Sequence, residues 1–324
     1  MTEPQATGLL GPRSLDALLA GLIDYAGLFP PAGLDLQTAV ENYAKYLAGP
    51  YARALGRFVL PVSCFAEFEE AFSHLQPIEP WGISALVGSN YESDLTAIEK
   101  FNERHVQAAY VDVIEIKATT AQEISQIRAC VRGTITPYFE IRPFDCSELL
   151  QTIHQIRGRA KIRTGGIKAE MFPPSDIVAG FLVECAKHKV PFKATAGLHH
   201  PIRCQKPLTY EHDAPAGMMH GFLNVFLMAA FCYGHESPRP PDLIVSLLNV
   251  VDPCLEFTDA FAFIRSPVLN QPTNRGLIGD PHGQGAHTRI PIARIQAARQ
   301  NFAISFGSCS FEEPIADLKA LNLL

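Results

Sequence analysis

Hydrophobic positions along the middle of the chain follow two alternating patterns. Short runs rich in Val, Ile and Phe, typical of buried strands, alternate with stretches whose apolar residues recur at helical spacing. The strand-like runs lie at 57–63, 83–88, 110–117, 135–142, 161–165 and 192–197. Helical patterns lie between them at 66–74, 93–104, 121–131, 147–157 and 175–188. This alternation is typical of an α/β fold with a parallel sheet, and so many short units in succession favour a closed (β/α)8 barrel of the TIM type.

The N-terminal part departs from this alternation. Apolar residues at helical spacing predict a helix over 14–25 and a second helix over 36–47. Asp24 and Tyr25 then stand at the end of the first helix, before the break at Pro30 and Pro31. We therefore predict an N-terminal helical extension over 1–50.

The alternation also stops after Gly197. Residues 205–300 are predicted to form a helical and loop-like insertion before the last strand, with a long surface loop at 265–289 that is rich in Pro, Gly, Asn and His. A strand at 302–306 and a final helix then close the barrel. We predict one barrel domain over 1–324.

Composition narrows the class of protein. With 47% hydrophobic and 19% charged residues the chain has enough apolar material for a sizeable core. A formal charge of -6 without any basic run argues against a nucleic-acid or membrane-surface binder. Residues 1–13 are polar and do not show the basic-then-apolar pattern expected of a signal peptide, and the eight cysteines contain no C-x-x-C pair. We expect a cytoplasmic protein with free thiols.

Polar side chains stand at alternating positions where four consecutive strands end. Successive strand residues point to opposite faces, so each pair shares one face. Because the outer face of a barrel must pack on helices, we expect these pairs to point inward at the carboxyl-terminal mouth, where barrel enzymes keep their active sites. The pairs are Glu115 with Lys117, Glu140 with Arg142, Lys161 with Arg163, and Lys193 with Thr195.

This set has a chemical consequence. It contains five cations and two anions, and a positive surplus favours a small anionic substrate. A lysine crowded by other cations loses its proton more readily and becomes a Schiff-base nucleophile. Lys161 and Lys193 form the natural pair, one as nucleophile and the other lowering its pKa. Glu140 or Glu115 would shuttle protons.

The sequence KIRTG at 161–165, followed by a helix and KATAG at 193–197, resembles the deoxyribose-phosphate aldolase family. That family carries K-T-S-T-G and K-A-S-G-G on neighbouring strands of a (β/α) barrel. The resemblance implies that Lys161 forms the Schiff base, that Lys193 assists it, and that Glu140 in FEIRP matches the glutamate of the family's I-E-T strand. It implies no metal and no cofactor.

Two further positions belong to the resemblance. Asp112 matches the acidic residue of the family's proton relay, and GSCS at 307–310 resembles its phosphate-cradling loop, with Gly307 and Ser308 as binding residues. The chain departs from the family at Arg163, where a small serine is expected, and in its N-terminal helices and its insertion.

Two alternatives remain open at this stage. His199 and His200, directly after the second lysine strand, could bind a metal together with Glu140 in a metal-dependent hydrolase or lyase. The barrel could also bind an anionic metabolite without turnover. In the leading hypothesis the two histidines contact substrate instead. The apolar segment 221–233 and the long insertion make a homo-oligomer plausible. The expected substrate-binding residues are Lys117, Arg142, Arg163, Thr195, His199, His200, Gly307 and Ser308.

Overall fold

Eight parallel strands close into a barrel. The computed structural model describes residues 8–234, 241–251, 255–265 and 287–324. Each barrel strand pairs in parallel with its neighbours along the chain, and the last pairs with the first. This confirms the predicted (β/α)8 architecture. The strands are β1 (Ile23–Tyr25), β2 (Leu55–Pro61), β3 (Trp81–Leu86), β4 (Ala109–Lys117), β5 (Thr136–Glu140), β6 (Arg159–Arg163), β7 (Phe192–Thr195) and β8 (Ala303–Ser308).

Helices cover the outer face of the barrel. Apolar residues that alternate with the charged ones along the strands, such as Ile116, Ile141 and Ile162, are buried against this layer, as the alternation predicts. The helices are α1 (Arg13–Leu19), α2 (Leu36–Leu47), α3 (Phe65–Phe72), α4 (Tyr91–Arg104), α5 (Ala121–Cys130), α6 (Ser147–Gln155), α7 (Ser175–His188), α8 (Phe222–Cys232), α9 (Pro241–Leu248), α10 (Ile292–Asn301) and α11 (Glu312–Ala320).

The first barrel strand lies where the sequence predicts the end of a helix, so that prediction was wrong. Helix α1 ends at Leu19, and Gly21 turns the chain at a φ of 58°. The following residues pair with both β8 and β2. A strand of three residues is too short to show a period of two, and all three of its residues are buried. The segment 1–50 therefore supplies a barrel strand as well as helices.

A buried arginine ties the two ends of the chain together beneath this strand. The guanidinium of Arg299 on α10 donates to the carbonyl oxygens of Leu18 at 2.8 Å and Ala20 at 2.9 Å. It also donates to the carbonyl oxygens of Ala303 and Ile304 on β8. Burial lowers the pKa of Arg299 to about 10. These bonds fix the chain entering β1 against β8.

The insertion contains more strand than the sequence predicts. A two-stranded ribbon (Cys204–Pro207 and Ala216–Met219) and a three-stranded antiparallel sheet (Leu255–Phe257, Phe261–Arg265 and His287–Pro291) accompany its helices. These short strands form antiparallel pairs, so they do not follow the strand–helix alternation that marks the barrel strands. Of the predicted loop 265–289, residues 266–286 lie outside the described ranges, and both of its ends are strand.

Helix α8 is the most apolar helix of the described chain, and its own chain covers it. All eleven of its residues are buried, so this helix belongs to the core of its own chain. Among the described helices none is long and apolar enough to cross a membrane. The cysteines at positions 64, 130, 146, 185, 204 and 309 are free thiols.

Glycines let the ends of β6 and β7 approach each other closely. A Cβ on Gly197 would lie 2.7 Å from the Cα of Gly165, and Gly197 has a φ of +76°. Both features exclude a larger residue. The two lysine strands are therefore joined at the mouth by a contact that only glycine allows.

We expect Gly197→Ala to destabilise the protein by about 2 kcal/mol or more, because it adds both backbone strain and a backbone clash. Gly180→Ala in α7 is the matched control, since a Cβ there meets no atom within 4 Å. It should stabilise the protein slightly, by about 0.5–1 kcal/mol. Denaturant unfolding of both variants measures the difference. Equal midpoints would show that the glycine contact is not required.

Candidate active site

Five ionisable side chains form a continuous chain of alternating charge inside the barrel. Lys193 Nζ lies 2.7 Å from Asp24 Oδ2 and also contacts Glu115 Oε1. Lys161 Nζ lies 2.8 Å from the other oxygen of Glu115 and 2.8 Å from Glu140 Oε2. Each lysine therefore lies between two carboxylates, and Glu115 is shared by both.

Strand register brings these side chains together. Lys161 is the lateral partner of both Lys193 on β7 and Glu140 on β5, and lateral partners in a parallel sheet point to the same face. Glu115 projects inward from β4 beneath them, and Asp24 reaches the cluster from β1. Four of the five positions follow from the alternation predicted at the strand ends, and Asp24 was missed.

Lys193 is locked into the barrel interior. Its residue is 1% exposed, and its ammonium lies 5.6 Å from the centre of the Tyr138 ring. The two carboxylates beside Lys193 also accept hydrogen bonds from hydroxyl groups. Ser305 donates to Asp24 at 2.6 Å, and Ser84 donates to Glu115 at 2.6 Å. Every charged group in this layer thus has a partner.

The environment of Lys193 holds it protonated. Burial by itself lowers its pKa, but Asp24 and Glu115 outweigh burial and raise the pKa above its usual range. Burial alone raises the pKa of Glu115, but Lys161 and Lys193 outweigh burial and lower this pKa well below its usual range. The predicted crowding of lysines by other cations is therefore wrong: a carboxylate separates the two amines.

Lys161 is the lysine that faces open space. A cavity at the mouth of the barrel has two lobes, of about 620 Å³ and about 290 Å³. Leu86, Glu115, Lys161 and Arg163 line both lobes, and Lys193 lines neither. A ligand in this cavity can reach the amine of Lys161 and cannot reach that of Lys193.

Glu140 and Arg163 flank Lys161 on the cavity side. The Nε of Arg163 lies 3.6 Å from Glu140 Oε1, and the Arg163 side chain is partly exposed. Burial raises the pKa of Glu140, but Lys161, Arg163 and Lys117 outweigh burial and lower it. Glu140 is therefore a carboxylate at neutral pH, next to the space where a substrate would sit.

The predicted substrate-binding residues are divided between this cavity and other places. Lys117 and Arg163 line the larger lobe, and Thr195, His199 and Gly307 line the smaller one, which Arg163 also borders.

The remaining predictions of that set are corrected. Arg142 is exposed and donates to the Asp145 carbonyl at 3.3 Å, since β5 ends at Glu140 and the chain turns outward. The Ser308 hydroxyl donates to the Ser310 carbonyl at 2.6 Å and lines neither lobe. Glu123 adds a third carboxylate to the wall of the larger lobe, where three cations now face three anions, so the predicted positive surplus at the mouth is wrong.

Asp112 does not join the lysines. Its carboxylate forms a two-pronged ion pair with Arg57, with Nε at 2.7 Å from Oδ1. It lies near the start of β4, where the pairing with β3 is irregular. The buried acid that contacts Lys193 is Asp24, whose other oxygen accepts the backbone N–H of Arg57 at 2.8 Å. The sequence feature that could have identified Asp24 is a single acidic residue between two large apolar residues, Ile23 and Tyr25.

The two adjacent histidines pair with the last helix. His199 Nδ1 lies 3.2 Å from Glu313 Oε2, and His200 Nδ1 lies 2.6 Å from Asp317 Oδ2. Within the described residues no group of three or more His, Cys, Asp or Glu side chains is arranged to hold a metal ion. The predicted grouping of both histidines with Glu140 is thus not formed there, because α11 supplies their partners.

His199 carries a positive charge at the wall of the smaller lobe. Burial lowers its pKa, but hydrogen bonding to Cys309 and Glu313 outweighs burial and raises the pKa to about 9. His200, on the other side of the chain, does not line either lobe. Only the first of the two histidines is placed to meet a ligand.

The chain matches no protein-family model and no curated protein.

We expect Lys193→Met to cost about 3–5 kcal/mol at pH 7, because it leaves Asp24 and Glu115 buried without their shared cation. The loss should shrink as pH falls, since protonation relieves the unpaired carboxylates. Lys100→Met, at an exposed position of α4, is the control and should change stability by less than about 0.5 kcal/mol. Urea unfolding at pH 7 and pH 4.5 measures both. A loss under about 1 kcal/mol at pH 7 would contradict the assigned network.

His199→Gln should lower stability by about 2–3 kcal/mol at pH 6. A histidine whose pKa is raised on folding stabilises the fold below its unfolded pKa, and that contribution is lost as pH rises through about 9. The free energies of unfolding of the wild type and of His199→Gln should therefore converge above pH 9. His212→Gln, at a fully exposed side chain, is the control. A difference that is independent of pH from 6 to 10 would refute a charged His199.

Proposed function

We propose that this protein is a lysine-dependent aldolase or lyase that forms a Schiff base between Lys161 and a small anionic carbonyl compound. The observation that carries the proposal is the position of the Lys161 amine. It lies at the floor of the mouth cavity, within 2.8 Å of two carboxylates. Amines placed in this way at the carboxyl-terminal end of a barrel strand serve as nucleophiles.

Imine formation needs a neutral amine and a path for protons. Lys161 first gives a proton to a neighbouring carboxylate, and Glu140 is the one that also faces the cavity. The free amine attacks the carbonyl carbon to form a carbinolamine. Protonation of its hydroxyl group by Glu140 then releases water and leaves an iminium ion on Lys161.

Carbon–carbon cleavage follows from the iminium ion. A carboxylate takes the proton from a hydroxyl group on the carbon β to the iminium, the bond between the α and β carbons breaks, and its electron pair moves to the nitrogen. An aldehyde leaves and an enamine stays on Lys161. Protonation of the enamine carbon and hydrolysis by one water return the amine and release the second carbonyl compound. No external oxidant or reductant is needed.

Lys193 acts as a positioning residue in this scheme. It is a buried cation that keeps Glu115 ionised and oriented beneath Lys161. The resemblance to the deoxyribose-phosphate aldolase family supports the same assignment of the two lysines. In this chain the aspartate that contacts Lys193 is Asp24, whereas Asp112 pairs with Arg57.

An anionic group on the substrate fits the cations at the mouth. Lys117 and Arg163 line the larger lobe beside Lys161. Arg163 stands where the aldolase family has a serine, and its guanidinium can hold a carboxylate with two parallel hydrogen bonds. The loop at 307–310 supports a phosphate site less well, because the Ser308 hydroxyl is taken by Ser310.

Borohydride reduction with a panel of small aldehydes and oxo acids tests the proposal. We expect a stable adduct on Lys161, located by peptide mass spectrometry, that is absent in Lys161→Ala. Lys100→Ala, at an exposed lysine, is the matched control and should be trapped like the wild type.

Three other outcomes would contradict the proposal. An adduct on Lys193 would reverse the roles of the lysines. No adduct, together with stoichiometric metal in the purified protein, would favour a metal-dependent hydrolase or lyase. Neither adduct nor metal would favour a barrel that binds an anionic metabolite without turnover.

A further inference from the structure

The two lobes of the cavity differ in chemistry. The larger lobe, here the polar lobe, contains Ser89, Lys117, Gln126 and Glu140 in its wall. The smaller lobe, here the apolar lobe, has a group of apolar residues in its wall beside Thr195 and His199, namely Ala26, Phe29, Pro30, Val59, Ile167 and Met171. Lys161 and Arg163 lie on the boundary between the two lobes. A molecule that reaches Lys161 can therefore place unlike groups on its two sides.

The polar lobe carries three cationic and three anionic side chains, but two of its cations have no carboxylate of the described residues within hydrogen-bond distance. Glu123 also lines it, but its carboxylate accepts the backbone N–H of Thr119 at 2.7 Å and caps α5. Lys117 is exposed and forms no salt bridge with any residue of the described ranges. The salt bridge between Arg163 and Glu140 is long, with Nε at 3.6 Å from Oε1. The remaining N–H groups of Arg163 and the Lys117 ammonium are available to an anion.

The apolar lobe presents hydrophobic surface that the fold leaves uncovered. Ile167 is 39% exposed on the loop after β6, and Met171 from the same loop is half-buried. Opposite them, Val59 and Phe29 reach the lobe from the chain at β2 and after β1. Apolar side chains grouped around a cavity beside a reactive amine are typical of a site that takes an apolar ligand group.

The spacing of Lys161 and Arg163 limits how the anion and the carbonyl are connected. They are two residues apart on one strand and share a face, so their backbones are about 7 Å apart. Both groups also approach the Glu140 carboxylate, Lys161 Nζ at 2.8 Å and Arg163 Nε at 3.6 Å, so one small ligand can meet both. Few bonds then separate a carboxylate on Arg163 from the reacting carbonyl. This is the arrangement found in 2-oxo and 3-oxo acids.

We propose that the substrate is an oxo acid with an apolar substituent of branched aliphatic or phenyl size. Its carboxylate would bind Arg163 and Lys117, its carbonyl would meet Lys161, and its substituent would fill the apolar lobe. The inference rests on the proposed Schiff-base function and adds the class of substrate to it.

Calorimetry with two carboxylic acids that have no ketone or aldehyde group tests ligand binding in the lobes separately from the imine chemistry. We expect the wild-type protein to bind 3-phenylpropanoate about tenfold or more tightly than propanoate, because only the first fills the apolar lobe. Equal affinities, or no binding of 3-phenylpropanoate, would overturn the inference.

Variants assign the preference to the lobes. Ile167→Asp places a carboxylate in the apolar lobe and should reduce the ratio of the two affinities at least severalfold, whereas Ile78→Asp, at a fully exposed isoleucine elsewhere, is the matched control. Arg163→Gln should weaken both acids by about tenfold and leave their ratio intact. An unchanged ratio in Ile167→Asp would refute the apolar lobe as the binding place.

The two proposals fail in different ways. If 3-phenylpropanoate binds as expected but phenylpyruvate and borohydride give no adduct on Lys161, the binding lobes stand and the Schiff-base function fails. If pyruvate and phenylpyruvate are trapped on Lys161 equally well, and propanoate and 3-phenylpropanoate bind with equal affinity, the Schiff-base function stands and the proposed substrate class is wrong.

Discussion

Two lysines inside a closed barrel stay charged only where carboxylates accompany them out of water, and here one carboxylate serves both. Glu115 contacts Lys193 with one oxygen and Lys161 with the other, while Asp24 and Glu140 complete the series. A buried charge without a partner costs several kcal/mol, so removal of any inner member is unfavourable. Strand register, the short first strand and the glycine contact at the mouth all serve to hold this series in place.

The series gives its two lysines different surroundings, although they are neighbours on adjacent strands. Lys193 has a carboxylate on each side and no cavity beside it, so it acts as a fixed cation. Lys161 has the same kind of partners but opens on both lobes. In the proposed mechanism, the reactivity of Lys161 therefore depends on access and on a nearby proton acceptor. It does not depend on repulsion between the two amines.

Much of the fold and part of the site could be predicted from the sequence. Alternation along four strands placed Lys161, Lys193, Glu115 and Glu140 on one face, because a period of two leaves a signal in strands of four or more residues. Asp24 was missed because its strand has three residues and follows a helical pattern. Arg142 and Asp112 were misplaced, since sequence alone shows neither where a strand ends nor where its pairing is irregular.

Trace acetylation of the native protein tests the separation of the two lysines most directly. The protein is exposed briefly to a small amount of acetic anhydride and then unfolded and fully labelled with an isotopic form of the reagent, so that peptide mass spectrometry gives the native reactivity of each lysine. The account predicts that Lys161 is acetylated in the folded protein at least about tenfold faster than Lys193, which is protonated and enclosed. Equal labelling, or faster labelling of Lys193, would contradict it.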